Sequence, residues 1–294
     1  MDIHELIKQT AEKVQARLSE LLPSEDVAPT TLHKAMRYSI FAGGKRIRPL
    51  LCLEAAKACG GDDECALNAA CALETLHTYT LIHDDLPSMD NDDLRRGRPT
   101  NHKVFGEGVA ILAGDALLTE AFGMLALVPS NDRYDVRDYV AELAYRTGSL
   151  NLVGGQVLDL EGEGRTLSQD ELRAIHNGKT TALIMASVRL GGMAAGCTPE
   201  QLEALTAYAR ALGLAFQIVD DILDMTSSPE VLGKSVGKDA KVHKATYATM
   251  VGLDQAREEA RALTAAARAA LDVFSPKRRE NLLAINDYLL KRDY

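Results

Sequence analysis

A chain of 294 residues, 46% hydrophobic and 26% charged, has the make-up of a folded globular protein, which excludes disordered, collagen-like and membrane-spanning classes. Lys and Arg number 33 against 42 Asp and Glu, so the net charge of −9 has the wrong sign for tracking nucleic-acid phosphates, and any anionic ligand must be met by a local basic cluster. Five cysteines without a C-x-x-C pair and seven histidines without an i, i+4 pair suggest neither a disulfide framework nor a zinc site, which leaves carboxylates as the available metal ligands.

The N-terminus is charged and amphipathic, with Leu6, Ala11, Val14, Leu18 and Leu21 at helical spacing and no basic segment leading into an apolar stretch. The expectation is a cytoplasmic address. Breakers at Pro23, Pro29, Gly43-Gly44, Gly60-Gly61, Pro87, Pro129, Gly162 to Gly164, Gly191-Gly192, Pro199, Pro229 and Pro276 divide the chain into ten or more segments of helical length. No run of alternating β-branched residues separates them, so the expected class is all-α: one domain over residues 1–294, a large helical bundle around a central cavity. The longest stretch without a charged residue is the twelve of Thr147 to Leu158, far short of a bilayer span, so no stable membrane association is expected.

In chain order, the first chemically dense segment is Gly43-Gly44-Lys45-Arg46-Ile47-Arg48-Pro49, a basic cluster in an acidic protein. It is no P-loop, because Ser39 stands where that motif needs Gly. An apolar helix from Ala66 to Ile82 then delivers Asp84 and Asp85, followed by Asp90, at its C-terminal end, where partial negative charge makes carboxylates costly without a cation. An EF-hand is excluded, since counting from Asp90 puts Arg95 where the turn Gly belongs. Farther on, Asp220, Asp221 and Asp224 lie within the apolar segment Leu212 to Met225, with Asp220 and Asp224 one helical turn apart. Buried unpaired, three such acids would impose a large desolvation cost, so water or metal must reach them. A single acidic run is more often a solvated loop; two, each with basic neighbours, point instead to a hard cation such as Mg²⁺, whose shell substrate phosphate oxygens commonly complete. The natural guest is a diphosphate.

Asp84-Asp85-x-x-x-x-Asp90 with Leu94-Arg95-Arg96-Gly97, Asp220-Asp221-x-x-Asp224 and G-G-K-x-x-R-P together resemble the trans-isoprenyl diphosphate synthases. Gly154-Gly155-Gln156-x-x-Asp159, Lys179-Thr180, Phe216-Gln217 and Lys244-x-Thr246-Tyr247 match further family segments in order, from about Gly43 onward. The resemblance implies an isoprenoid synthase fold, a homodimer, and condensation of isopentenyl diphosphate with an allylic diphosphate. By motif position it implies that Asp84, Asp90 and Asp220 coordinate Mg²⁺, with Mn²⁺ as a possible substitute, and that Asp85, Asp221 and Asp224 complete or orient the cluster. Arg95, Lys179, Thr180, Gln217, Lys234 and Lys244 would line the allylic site, and Lys45, Arg48, His77 and Arg96 would hold the isopentenyl diphosphate. His77 stands seven residues before Asp84, so helical periodicity independently lets it face the same cavity.

In this family the product tail runs back along the helix before the first motif until a large side chain stops it. Tyr79, with Thr80 beside it, is the candidate, five residues before Asp84 and therefore about 7.5 Å back along the axis. A Tyr at this level resembles farnesyl (C15) synthases, whereas Asp90-Asn91-Asp92-Asp93 through Gly106 resembles geranylgeranyl (C20) synthases; the C15 product is the leading expectation and C20 the alternative. A class I terpene cyclase is disfavoured by the form of the second motif and by the absence of Trp. A non-catalytic prenyl diphosphate-binding subunit is disfavoured because acids and bases are present in both half-sites.

Overall fold

The computed structural model describes residues 2–226 and 247–290. Lys234 and Lys244 lie outside the described residues, as does the side chain of Asp224. The expected all-α architecture is what forms: fourteen α-helices among the described residues, and a single two-residue β-ladder.

Helix α1 (Ile3–Leu21) buries Leu6, Thr10, Val14 and Leu18, spaced four apart as one helical stripe requires. It is followed by α2 (Thr30–Ile40), α3 (Ile47–Ala58) and α4 (Asp63–Asp84). The Asp62 carboxylate starts α4 by accepting the Cys65 N–H at 3.1 Å, as an N-cap should. Strands β1 (Leu94–Arg95) and β2 (Arg98–Pro99) pair antiparallel across Arg96 and Gly97, and α5 (Asn101–Phe105) and α6 (Glu107–Leu125) follow. Next come α7 (Val136–Thr147), α8 (Leu152–Gly162) and α9 (Gln169–His176); capping boxes Asp135/Asp138 and Ser168/Glu171 fix the starts of α7 and α9. A π-helical turn at Asn177–Thr181 runs directly into α10 (Ala182–Ala194), followed by the long α11 (Pro199–Thr226). Beyond it lie α12 (Tyr247–Val251), α13 (Leu253–Ala270), a 3₁₀ turn at Leu271–Val273 and α14 (Pro276–Leu290).

Two apolar clusters organise the packing. One gathers α4 with α1, α2, α6 and α7; the other gathers α11 with α13 and α14. Helices α3 and α10 serve both, giving Cys52 and Leu53 with Leu183 and Leu190 to the first, and Leu50 and Leu51 with Ile184 and Val188 to the second. A helix that feeds two cores must be apolar all round, and twelve of the thirteen residues of α10 are buried. By length and composition α6 and Pro199–Leu223 of α11 are apolar enough to cross a bilayer. Here they pack on protein: α6 puts Ala110, Ala113, Leu117 and Ala121 into the cluster around α4, and α11 puts Leu205, Leu212, Val219 and Ile222 into the other.

Candidate active site

The sequence places Asp84 at the last turn of α4 and makes Asp85 its C-cap, with the Asp85 N–H donating to Leu81 O at 3.2 Å. Beyond this cap the backbone folds onto the helix end. Asp90 N–H donates to Asp84 O at 2.9 Å, Asp92 N–H to Asp85 O at 3.2 Å, and Asn91, at φ +50°, makes the sharpest bend. Asn tolerates this left-handed conformation better than most residues, a physical reason for Asn at the centre of an otherwise acidic run. Arg96 at φ +53° and Gly97 at φ +73° then form the two-residue turn between β1 and β2, whose left-handed centre matches strand twist.

That turn throws Arg95 back onto Asp85. Its Nε lies 2.7 and 2.9 Å from the two carboxylate oxygens and its Nη2 2.6 Å from one of them, a bidentate pair on a buried acid. Among the described residues Asp84 has no comparable fork. Burial pushes its carboxyl up to about 6, and Asp90 adds to the rise while Lys179 opposes it. Burial, with Asp90 acting in the same direction, makes the ionised Asp84 carboxylate costly, a cost that a bound cation would relieve. Among the described residues no three Asp, Glu, His or Cys side chains close into a ready-made cage. An open set of hard oxygen donors suits Mg²⁺, which retains waters and takes phosphate oxygens.

The basic cluster is built on a loop whose backbone is left-handed at Gly43 (φ +87°), Gly44 (φ +117°) and Arg46 (φ +50°). At Gly44 a Cβ would come 2.6 Å from Arg96 Cζ, so the close approach of the Arg96 guanidinium needs glycine there. Arg96 donates to Gly43 O. Arg46 is fully buried, ion-paired with Glu74 and donating to Ile40 O. Arg48 Nη1 lies 3.2 Å from His77 Nε2. Burial, then the positive charges of Arg48, Arg96, Arg95 and Arg46, hold His77 well below the usual imidazole range, so it is neutral at pH 7. Burial likewise pulls Arg48 down to about 10, with Glu74 opposing and Arg96 assisting. Cations crowded on a single buried acid are costly until an anion arrives. Lys45 stands apart, its ammonium 5.1 Å from the ring centroid of Tyr288.

The third wall is the π turn. An extra residue in the coil brings Lys179 Nζ within 2.7 Å of Asp159 Oδ2 and sets the Thr180 hydroxyl donating to Gln217 Oε1. Helix α8 approaches so closely that a Cβ on Gly155 would meet Lys179 N at 2.3 Å. Gln217 stands one turn before Asp220 and Asp221 on α11, while Lys179 acts electrostatically on Asp84. The π turn thus connects the end of α4 to the second acidic motif. Asp221 is buried, accepts the Tyr247 N–H at 2.6 Å and lies 4.0 Å from His176 Nε2.

Tyr79 is buried, its ring edge-on to His83 at 5.4 Å, while the Thr80 hydroxyl donates to His77 O at 2.8 Å within the same helix. Glu74 was not identified from sequence, and Arg46 and Asp159 were named there only as members of motifs, without the ion pairs they make with Glu74 and Lys179. Glu74 left a readable signal, being a lone acid among Cys71, Ala72, Leu73, Thr75 and Leu76, a position acids rarely occupy unless paired.

The Polyprenyl synthetase family model matches residues 29–273. The heterodimeric geranylgeranyl pyrophosphate synthase large subunit 1, chloroplastic, of Arabidopsis thaliana is 48% identical over 297 residues, covering 99% of this chain and 80% of that protein. The chloroplastic geranylgeranyl pyrophosphate synthase of Capsicum annuum is 49% identical, covering 90% of this chain and 72% of its own. Among solved structures, an FPP/GFPP synthase from Zymomonas mobilis superposes with a TM-score of 0.88 at 36% identity, covering 98% of each chain. The geranylgeranyl pyrophosphate synthetase of the archaeon Geoglobus acetivorans gives 0.87 at 32% identity, covering 99% of each. These relatives overturn the cytoplasmic expectation, since the similar plant enzymes are named chloroplastic. That expectation rested on a charged, amphipathic first segment; α1 spends its apolar stripe on the core, so its pattern reports packing rather than address. With the isoprenoid synthase fold formed and the family model matched over residues 29–273, the chain belongs to the polyprenyl synthetase family of prenyltransferases.

Proposed function

We propose that this prenyltransferase condenses isopentenyl diphosphate with allylic diphosphates in a Mg²⁺-dependent reaction and ends mainly at geranylgeranyl diphosphate, C20. The observation that carries the reaction is the pairing of two charge environments: an acidic mouth where burial makes ionised Asp84 costly, and a cationic cluster of Arg48, Arg96 and Arg46 around neutral His77. For the product, proteins named geranylgeranyl pyrophosphate synthases match this chain at 48 and 49% identity, against 36% for the FPP/GFPP synthase, which supports C20 over the C15 reading based on Tyr79.

Asp84, Asp90 and Asp220 would hold Mg²⁺, which supplies Lewis-acid stabilisation of a departing diphosphate, with Asp224 contributing from the same helix as Asp220. Lys179 places a positive charge beside Asp84, where the allylic diphosphate would gather negative charge as its C–O bond breaks. Arg48 and Arg96, with Lys45 swinging in from Tyr288, would grip the diphosphate of isopentenyl diphosphate. Neutral His77 would donate or accept a hydrogen bond there without adding charge. The Thr180 and Gln217 dipoles would face the allylic carbons once cationic, and enclosure by α4, α10 and α11 would keep water out. Exposed apolar residues Ile111 and Leu112 on α6 and Val153, Val157 and Leu158 on α8 support assembly as a homodimer.

The test is product identification. Purified protein is incubated with isopentenyl diphosphate, Mg²⁺ and dimethylallyl diphosphate, and the alcohols are separated after phosphatase treatment. Geranylgeraniol as the main product is expected; chains ending at C15 would overturn the C20 assignment, and no condensation would overturn the reaction.

A further inference from the structure

Cys59 caps the C-terminus of α3, and Cys197 sits in the turn between α10 and α11, after Gly196 at φ +67°. Although 138 positions apart in sequence, the two sulfurs flank the same bare glycine: a Cβ on Gly192 would lie 3.3 Å from Cys197 Sγ and 3.6 Å from Cys59 Sγ. Each thiol shifts the ionisation of the other, and Cys197 Sγ lies 3.8 Å from Tyr134 Oη. Cys59 is half-buried and Cys197 almost wholly buried, so a small oxidant has an approach from one side only. Nearby the backbones pack closely: on Gly191 a Cβ would come 2.0 Å from Cys52 O, which seats the middle of α3 against the last turn of α10.

From this juxtaposition we infer that Cys59 and Cys197 form a redox-responsive dithiol site that hydrogen peroxide converts to an intramolecular disulfide. Cys59 is the sulfur that solvent reaches, so peroxide meets it first. Its thiolate attacks one peroxide oxygen; the O–O bond breaks, and the other oxygen leaves with a proton as water, giving the Cys59 sulfenic acid. The Cys197 sulfur then displaces the hydroxyl from Cys59, forming the S–S bond as a second water departs with the Cys197 proton. Two thiols are oxidised by two electrons and one peroxide is reduced to two waters. Cys52 and Cys71 are fully buried, and Cys65, which acts electrostatically on Cys59, has its thiol donating to Asp62 O at 3.2 Å.

The experiment treats the full-length protein with a small molar excess of hydrogen peroxide, quenches with a thiol-blocking reagent, and counts free thiols under denaturing conditions. The expected result is a fall from the five of the sequence to three, restored by dithiothreitol, with a peptide joining residues 59 and 197 in the digest. Cys59→Ser and Cys197→Ser should each form no disulfide under the same treatment. An unchanged count, a disulfide joining any other pair of cysteines, or a Cys59→Ser protein that still forms one would overturn the inference.

Discussion

Asp84→Asn should stabilise the metal-free protein while abolishing turnover. Burial raises this carboxyl from 3.8 to about 6. An acid whose folded-state pKa exceeds its unfolded value holds its proton more tightly when folded, so ionising it at neutral pH works against folding. A shift of this size is worth about 2–3 kcal/mol, a penalty present in full above the folded value and vanishing as pH falls through 3.8. Asn keeps the shape and removes the charge. At roughly 2 °C per kcal/mol for a chain of this length, the variant should melt about 4–6 °C above the parent at pH 7.5 in EDTA. The gap should shrink towards pH 4, where the parent carboxyl is protonated in the folded state. Added Mg²⁺ and a diphosphate should raise the melting temperature of the parent more than that of the variant. Differential scanning fluorimetry across this pH range reads all of it; a variant no more stable than the parent in chelator, or a gap independent of pH, would refute the reasoning.

Glu74→Gln leaves the buried Arg46 guanidinium without its counter-charge, and removing one partner of such a pair costs about 3–5 kcal/mol. Its melting temperature should drop by roughly 6–10 °C, and KM for isopentenyl diphosphate should rise far more than KM for the allylic substrate. Asn286→Leu should stabilise by about 1 kcal/mol, read by urea unfolding, because both polar atoms of this wholly buried side chain lack a hydrogen-bond partner among the described residues, in the apolar surroundings of α14. Tyr79→Ala, opening the α4 face about 7.5 Å behind Asp84, should shift the alcohols to chains longer than those of the parent on reversed-phase chromatography.

Much of the architecture was legible because each helix advertises itself by apolar period, and the acids by their interruption of that period. The ending of α4 at Asp84 followed from the run Ala66 to Ile82, and the placement of Asp220 within a helix from Leu212 to Met225. What stayed hidden was pairing between distant positions. Nothing in the local pattern ties Asp159 to Lys179 or Glu74 to Arg46, because ion pairs 20 and 28 residues apart are decided by how helices pack. The Arg95 fork on Asp85 was equally unreadable, since it depends on the turn at Arg96 and Gly97 reversing the chain. Product length was not legible in a single side chain, Tyr79, because the path of a prenyl tail depends on every wall of its tunnel.

The π turn at Asn177–Thr181 makes the spacing between α9 and α10 intolerant of small indels. One residue fewer would restore ordinary coiling and rotate whatever follows by about 100° relative to what precedes. Lys179 would swing off Asp159, or else α10 would present the wrong stripe to its two hydrophobic neighbours. Homologues that lose a residue here must give up either the lysine's aim or the helix's seating, so alignment gaps in this stretch would flag enzymes whose ionisation step has been rebuilt.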